Sequence, residues 1–238
     1  MSGWTAKRFW TKADVAEIDA GFSVVLDGRP VRTPAKAPLA VPTRALALAI
    51  AAEWDAQTGK VDPVSMPLTR AANAAIDKVR AQRAEVAQMI ADYGGTDLLC
   101  YRAEAPEELV ARQAAAWDPW LDWAGTALEA PLRVTAGVIP VEQPAKARAA
   151  LSAAVHALDE FDLAALHDLV AMTGSLVLGL AVARGRLSAD AAWALSRIDE
   201  DWQIEQWGED EEAAGHAAIK KAALGNAARF WSLLHAAA

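Results

Sequence analysis

The sequence is poor in the side chains that most often carry metals, cofactors or covalent chemistry. A single cysteine, Cys100, excludes an internal disulfide and suits a reducing compartment; it lies in an apolar run, residues 98–101, and is expected to be buried. The four histidines show no metal-ligand spacing such as H-x-x-x-H or H-E-x-x-H. The phosphate-binding motifs G-x-x-x-x-G-K-S/T and G-x-G-x-x-G are missing. We therefore expect no metal, no cofactor and no nucleotide hydrolysis.

Long hydrophobic runs are also missing. The most apolar segment, residues 169–183, has 15 residues, whereas a membrane-spanning helix needs about 20. We expect this segment to be a buried helix of the core, and we expect no membrane insertion. The first ten residues, MSGWTAKRFW, lack the apolar centre of a secretory signal.

Negative charge is concentrated in the second part of the chain. The net charge is −8; residues 1–90 contain 12 Lys and Arg against 9 Asp and Glu, whereas residues 91–238 contain 11 against 22. Nucleic-acid binding needs a basic surface. The acidic second part therefore argues against nucleic acid and favours a protein partner.

The first forty residues have the pattern of short strands joined by tight turns. Apolar runs flank Asp27-Gly28, and this dipeptide is a strong β-hairpin signal because both turn residues tolerate a positive φ. A second hairpin is predicted at residues 19–21. From Thr43, a good helix N-cap, the apolar spacing becomes helical. Residues 1–90 are therefore predicted to form a small mixed α/β domain, a β-meander plus helices.

Residues 91–238 are predicted to form an all-helical domain. Residues 161–183 are predicted to be one long central helix, in which Gly174 and Gly179 allow close helix packing. Ser188 is expected to cap the next helix, which leads into an acidic stretch. The predicted fold class is α+β, with the mixed domain preceding the helical one.

The acidic stretch from Asp199 to Glu212, DEDWQIEQWGEDEE, is the most distinctive segment. Eight of its 14 residues are Asp or Glu, none is Lys or Arg, and it contains Trp202 and Trp207. An ordinary surface helix usually mixes both signs and gains i,i+4 ion pairs. Two interpretations stay open at this point. The stretch is either a solvated acidic face whose tryptophans turn into the core, or a surface that binds a basic or polar partner.

Candidates for catalysis are weak. Glu205 and Glu209 would share a helical face if a helix continued through Gly208, and neighbouring carboxylates can do acid–base chemistry. The sequence, however, shows neither a pocket nor a reacting partner group. His167 and Asp168 are adjacent in a helix, where neighbouring side chains point about 100° apart, so we expect no direct dyad.

Six motifs together resemble one protein family. They are KRFW (7–10), LDGRPVRTP (26–34), AAEWDAQ (51–57), MPLTRAAN (66–73), DLLCYRA (97–103) and DEDWQIEQWGEDEEA (199–213). They resemble the assembly chaperones of F-type ATP synthase that bind the free α subunit of the catalytic head. The resemblance extends over nearly the whole chain and implies a small α/β domain followed by a helical domain.

The resemblance also implies a function and a site. The chaperone would cover the apolar surface of the unassembled α subunit, which would otherwise aggregate, until β subunits displace it without nucleotide hydrolysis. A glutamate shortly after the WG pair is tied to function in this family. Its motif position corresponds to Glu211, with Glu209 and Glu212 as alternatives; Trp207 and Glu205 complete the expected partner-binding residues.

Trp54 lies in the AAEWDAQ motif and is expected to be structural, because its helical face is apolar. Mitochondrial members of the family carry a transit peptide, which this sequence does not show, so we expect a bacterial cytoplasmic homologue. Because no helical pattern demands a dimer, we expect a monomer. Two other functions stay open. One is a small-molecule enzyme that uses the clustered carboxylates, and the other is a generic acidic adaptor for a basic protein.

Overall fold

A computed structural model describes residues 7–236. The strands in this range are β1 (Ala13–Ile18), β2 (Gly21–Leu26), β3 (Arg29–Pro30), β4 (Ala40–Val41), β5 (Tyr101–Arg102) and β6 (Thr135–Ala136). The α-helices are α1 (Arg44–Asp55), α2 (Pro67–Ala74), α3 (Arg83–Asp92), α4 (Glu107–Ala127), α5 (Ala145–His156), α6 (Glu160–Thr173), α7 (Leu176–Ala183), α8 (Ala189–Ser196), α9 (Ile198–Trp207) and α10 (Glu211–Leu234). N-terminal strands with helices, followed by a mostly helical remainder, confirm the predicted fold class.

The described residues divide into two compact units. Unit 1 contains residues 7–83, 159–165 and 229–236, and unit 2 contains residues 84–158 and 166–228. The predicted domains, 1–90 and 91–238, stay a prediction. In the structure, two short later segments group with residues 7–83.

Both hairpins predicted near the N-terminus are present in unit 1. Strand β2 pairs antiparallel with β1, placing Gly21 opposite Ile18, and with β3, placing Leu26 opposite Arg29. The turn residues Asp27 and Gly28 have φ values of 47° and 80°, which is the conformation that Asp-Gly favours in two-residue hairpins. Strand β4 also pairs with β2 and completes a four-stranded sheet.

Helix α1 packs on this sheet and on α2. Thr43 caps α1 as predicted, because its Oγ1 accepts a hydrogen bond from the Leu46 N–H at 3.3 Å. The apolar face of α1 buries Leu46, Ile50 and Trp54 in the core of unit 1, together with Trp10.

The two later segments of unit 1 complete that core. Phe161, Phe230 and Leu234 belong to the same buried cluster. Thr43 Oγ1 also donates to the backbone oxygen of Leu233 at 2.7 Å. The beginning of α1 is therefore bonded to a residue 190 positions later in the chain.

Unit 2 is built around the helices α4 and α7, which contact each other. Helix α4 continues through Pro119. Its Trp117 is buried, and the indole Nε1 donates to the backbone oxygen of Leu195 at 2.8 Å. Gly179 of α7 lies so close to Val170 that an added Cβ would be 2.6 Å from a Val170 methyl carbon. Glycine is therefore required there for close helix packing.

The single long helix predicted over residues 161–183 is wrong. Helix α6 ends at Thr173 and α7 begins at Leu176. Gly174 has a φ of 69°, and Ser175 caps α7 through Oγ, which accepts the Leu178 N–H at 3.0 Å. A glycine in the left-handed region followed by a serine N-cap ends one helix and starts the next. The continuous apolar pattern concealed this break.

Gly174→Ala is expected to lower the free energy of unfolding by about 1 kcal/mol, because alanine is strained at this positive φ. The nearest heavy atom would be 3.8 Å from an added Cβ, so crowding is not the cause. Inside a continuous helix the same change would stabilise by about 1 kcal/mol. Urea unfolding followed by circular dichroism distinguishes the broken helix from a continuous one by the sign of the change in the free energy of unfolding. Gly215→Ala, in the interior of α10 with open space around it, is the control that should stabilise.

No helix within residues 7–236 is long and apolar enough to cross a membrane. The expected lack of a secretory signal falls partly on residues 1–6, which lie outside the described range.

Candidate partner-binding site

The acidic stretch forms α9, a short connection and the first turn of α10. Gly208 ends α9 with a φ of 87°, and its N–H donates to the Ile204 backbone oxygen at 2.8 Å. Asp210 then caps α10, because its Oδ1 accepts the Ala213 N–H at 2.8 Å. We call residues 207–212 the acidic junction. The sequence builds it from a glycine that stops one helix and an aspartate that starts the next.

The two tryptophans of the acidic stretch have different surroundings. Trp202 is partly buried, and the guanidinium of Arg112 lies 4.9 Å from its ring centroid. Trp207 is 79% exposed. Trp202 is thus turned partly inward, as the first interpretation expects, whereas Trp207 is exposed, as the second interpretation requires.

Glu205 forms an ion pair with Arg112, another residue of unit 2. Its two carboxylate oxygens accept hydrogen bonds from the two terminal nitrogens of Arg112 at 2.8 and 2.9 Å. These bonds hold the pKa of Glu205 below its ordinary value. Arg112 thus lies between Glu205 and the Trp202 ring. The sequence gives no signal for this partner, which comes from α4.

Apart from the N-cap Asp210, the carboxylates of the acidic stretch fall into two groups. Those on α9 have partners: Asp199 accepts from Gln113 at 2.5 Å, and Glu200 pairs with Arg197 at 3.2 Å. Glu209, Glu211 and Glu212 are exposed, and no hydrogen bond or ion pair links their side chains to another residue within the range 7–236. These last three carboxylates are therefore available for a partner.

The position of Glu211 and Glu212 explains why like charges can gather there. Both lie in the first turn of α10, where the helix dipole and the unpaired N–H groups stabilise negative charge. Glu205 and Glu209 do not share a helical face, because α9 ends at Trp207. The condition for a carboxylate pair with acid–base function is therefore not met.

The expectation that His167 and Asp168 cannot pair is wrong. His167 Nδ1 lies 2.8 Å from Asp168 Oδ1, and this hydrogen bond raises the pKa of His167.

Cys100 is buried as expected, and burial raises the pKa of its thiol to about 12, which suppresses thiolate chemistry. Among residues 7–236, no group of three or more His, Cys, Asp or Glu side chains could hold a metal ion.

The AAEWDAQ motif is a structural centre of unit 1. Glu53 accepts the N–H groups of Leu68 and Thr69 at 2.7 and 2.8 Å, which caps the start of α2. Asp55 Oδ1 accepts the Ala13 N–H at 2.8 Å. The expectation that Trp54 is structural agrees with its 4% exposure. The motif therefore joins α1 to the sheet and to the segment MPLTRAAN.

The acidic junction is exposed along its whole length, and comparison with known proteins gives the class of the molecule: it is a chaperone. The model of the family described as ATP12 chaperone protein matches residues 7–125, half of the chain. The chain therefore belongs to the ATP12 chaperone family, and the family expected from the motifs is confirmed.

Solved structures and a curated relative agree with this assignment. Atp12 from Paracoccus denitrificans is 57% identical, with a TM-score of 0.95 over 97% of this chain and 99% of that one. The Atu1473 protein from Agrobacterium tumefaciens is 46% identical, with a TM-score of 0.88 over 94% of this chain and 85% of that one. The mitochondrial protein atp12 of Schizosaccharomyces pombe is 26% identical over 219 residues, covering 87% of this chain and 75% of the yeast protein.

Membership in a chaperone family decides between the open functional classes. The expectation that the chain is not an enzyme is confirmed by this membership. The alternative of a small-molecule enzyme is therefore set aside. The site residues Glu205, Trp207, Glu209, Glu211 and Glu212 stay predictions as far as their role is concerned.

Proposed function

We propose that this protein is an assembly chaperone of F-type ATP synthase that binds the free α subunit of the catalytic head through the acidic junction. The observation that carries the proposal is Trp207, which is 79% exposed and is followed in the chain by three exposed carboxylates that have no partner of their own in unit 2. The motif resemblance and the chaperone family support the choice of client.

The physical argument begins with Trp207. Tryptophan is strongly enriched among the residues that dominate binding energy, since it buries a large apolar area when a partner covers it. Glu209, Glu211 and Glu212 follow this anchor within five positions of the chain and give the junction its negative charge. They match a client surface on which an apolar recess is bordered by basic side chains or free N–H groups.

The unassembled α subunit has an apolar interface that must be shielded from solvent. A subunit of an obligate complex exposes a large apolar interface, and exposed apolar patches of this size cause aggregation. The chaperone occupies the interface until β subunits arrive. Release then follows from competition between the two partners, which requires no nucleotide hydrolysis.

Salt distinguishes this function from that of a generic acidic adaptor. Binding held by charge alone weakens steeply as ionic strength rises, because the Debye length falls from about 10 Å at 0.1 M salt to about 3 Å at 1 M. A complex anchored by Trp207 on an apolar surface should weaken little. It should also show a large negative heat-capacity change on binding.

The direct test is co-expression with the α subunit, followed by size-exclusion chromatography at low and high salt. We expect a complex that survives high salt, and we expect the α subunit to aggregate when it is expressed alone. A complex that dissociates at high salt would favour the adaptor. An α subunit that stays soluble alone and never co-elutes would contradict the proposal.

Glu211→Lys is expected to weaken protection of the α subunit by about tenfold, because it reverses one of the three available charges at the junction. The variant should stay folded, with a stability loss of at most about 1 kcal/mol from a cation at a helix N-terminus. Light scattering of the α subunit at increasing chaperone concentration measures protection.

Glu108→Lys is the matched control for this charge reversal. Glu108 is an exposed acid in the first turn of α4, so it carries the same helix-dipole cost outside the junction. Equal loss of protection in both variants would show that net charge, not the junction, is responsible. An unfolded Glu211→Lys variant would contradict its assignment to a surface site.

We further propose that the protein acts as a monomer in the bacterial cytoplasm. The mass of one chain is 25.2 kDa, so light scattering coupled to chromatography tests the first point directly. Fractionation of cells that express the tagged protein tests the second.

A further inference from the structure

Unit 1 contains an open pocket beside β3 that none of the preceding functions uses. Its volume is about 290 Å³, and its lining includes Phe9, Trp10, Trp54 and Arg29. Sites for small-molecule ligands usually measure about 300–1,000 Å³. The pocket therefore has room for one large side chain rather than for a cofactor.

The inner wall of the pocket is aromatic. Trp10 and Trp54 are each 4% exposed and meet edge to face with ring centroids 5.3 Å apart. An apolar side chain in the pocket would therefore lie against these two rings.

The rim of the pocket combines an exposed aromatic ring with an exposed cation. Phe9 is 67% exposed and packs edge-on against Trp10, at 5.2 Å between ring centroids. Arg29 is exposed and makes no hydrogen bond or ion pair within residues 7–236. The neighbouring carboxylate of Asp27 is already bonded to the backbone N–H groups of Thr11 and Lys12.

We propose that this pocket is a second partner-binding site, which takes an extended polypeptide segment carrying one large apolar side chain next to a carboxylate. The apolar side chain lies against the tryptophan wall, and the carboxylate pairs with Arg29. This preference is opposite in charge to that of the acidic junction. It holds whether or not the α subunit is the client.

Charge complementarity decides the class of occupant. Arg32 also lines the pocket, although its guanidinium donates to the Lys36 backbone oxygen at 2.8 Å. The positive rim therefore opposes a basic segment and favours an acidic one. Because the pocket is open, an exposed loop of a protein fits it better than a small molecule that has to be enclosed.

The test is a titration of the full-length protein with short peptides. The probe is acetyl-Ala-Phe-Glu-Ala-amide, compared with the same peptide carrying Gln for Glu or Ala for Phe. The Trp10 indole N–H signal in a ¹H–¹⁵N spectrum, assigned with Trp10→Phe, reports occupancy. We expect a saturable shift with the first peptide, affinity about threefold to fivefold lower with Gln, and affinity at least tenfold lower with Ala.

Arg29→Gln is the decisive variant. It should reduce affinity for the Glu peptide by the same threefold to fivefold and leave the Gln peptide unchanged, since the exposed side chain plays no part in the core. Arg70→Gln, an exposed arginine of α2 outside the pocket, is the control that should change neither. Equal effects of both variants, or no saturable shift of the Trp10 signal, would overturn the proposal. A shift caused by concentrating the protein alone would also overturn it, because a second copy would then be the occupant.

Discussion

Trp54→Arg is expected to unfold unit 1, with a loss of more than about 4 kcal/mol in the free energy of unfolding. Removal of a buried tryptophan side chain costs about 3–5 kcal/mol, and a buried charge without a partner adds to this cost. The guanidinium of Arg8 already lies 5.5 Å from the ring of Trp10, which packs against Trp54, so the new cation would also be repelled. The loss is a large part of the about 5–15 kcal/mol that stabilises a typical domain.

Leu48→Arg is the matched control for this experiment. Leu48 lies on the same helix, α1, but is 44% exposed, so the same introduced side chain stays in water and should cost less than about 0.5 kcal/mol. Thermal and urea unfolding followed by circular dichroism give both values. Equal melting temperatures for Trp54→Arg and the unsubstituted protein would show that Trp54 does not belong to the core.

Asp97→Ala is expected to destabilise unit 2 by about 2–4 kcal/mol at pH 7. Asp97 is completely buried, and its two oxygens accept the N–H groups of Leu99 and Val177 at 3.1 and 3.0 Å. Removal of the carboxylate leaves both donors buried without acceptors, at about 1–3 kcal/mol each. Relief of the cost of burying a charge offsets part of the loss. Asp122→Ala, at an exposed position of α4, should be nearly neutral.

Asp97 also predicts an unusual pH dependence. Burial raises the pKa of Asp97 from 3.8 to about 6. Between pH 6 and 4 this carboxyl group is therefore protonated in the folded chain and ionised in the unfolded chain. The contribution of Asp97 to the free energy of unfolding therefore increases as the pH falls from 7 to 4, by up to about 3 kcal/mol. A carboxylate that is ion-paired in the folded state would show the opposite sign.

Asp97→Asn isolates this contribution, because it keeps the volume and cannot ionise. We expect the difference in stability between the unsubstituted protein and Asp97→Asn to shift in favour of the former on acidification. Other carboxylates titrate in both proteins and cancel in the difference. A difference that stays constant from pH 7 to 4 would show that Asp97 keeps an ordinary pKa.

Local sequence signals predicted the parts of the fold that depend on neighbouring residues. Asp27-Gly28 gave the hairpin, and Thr43 and Ser188 gave helix starts, because turns and caps are short-range chemistry. The break at Gly174 was missed, although Gly-Ser is a recognisable stop-and-start signal. The strong apolar pattern on both sides concealed it.

Contacts between distant residues could not be predicted in the same way. The partner of Glu205 is Arg112, 93 positions earlier, and Asp97 bonds to Val177, 80 positions later. No local pattern encodes such pairs, since they depend on how helices pack. The family motifs indicated where such contacts matter: Glu53 and Asp55 of AAEWDAQ join α1 to the start of α2 and to strand β1.

The composition of unit 1 has a consequence for biosynthesis. Its core needs Phe230 and Leu234, and the N-cap Thr43 bonds to the oxygen of Leu233. A ribosome makes the sheet and α1 first, yet these elements cannot reach their final packing until residues 229–236 have left the exit tunnel. The sheet therefore has an incomplete core during most of translation. A fragment that ends at residue 228 would lack Phe230 and Leu234, which complete this core. Until that core is complete, the first half of the chain exposes apolar surface and can aggregate, which is the same risk that chaperones of this family reduce in other proteins.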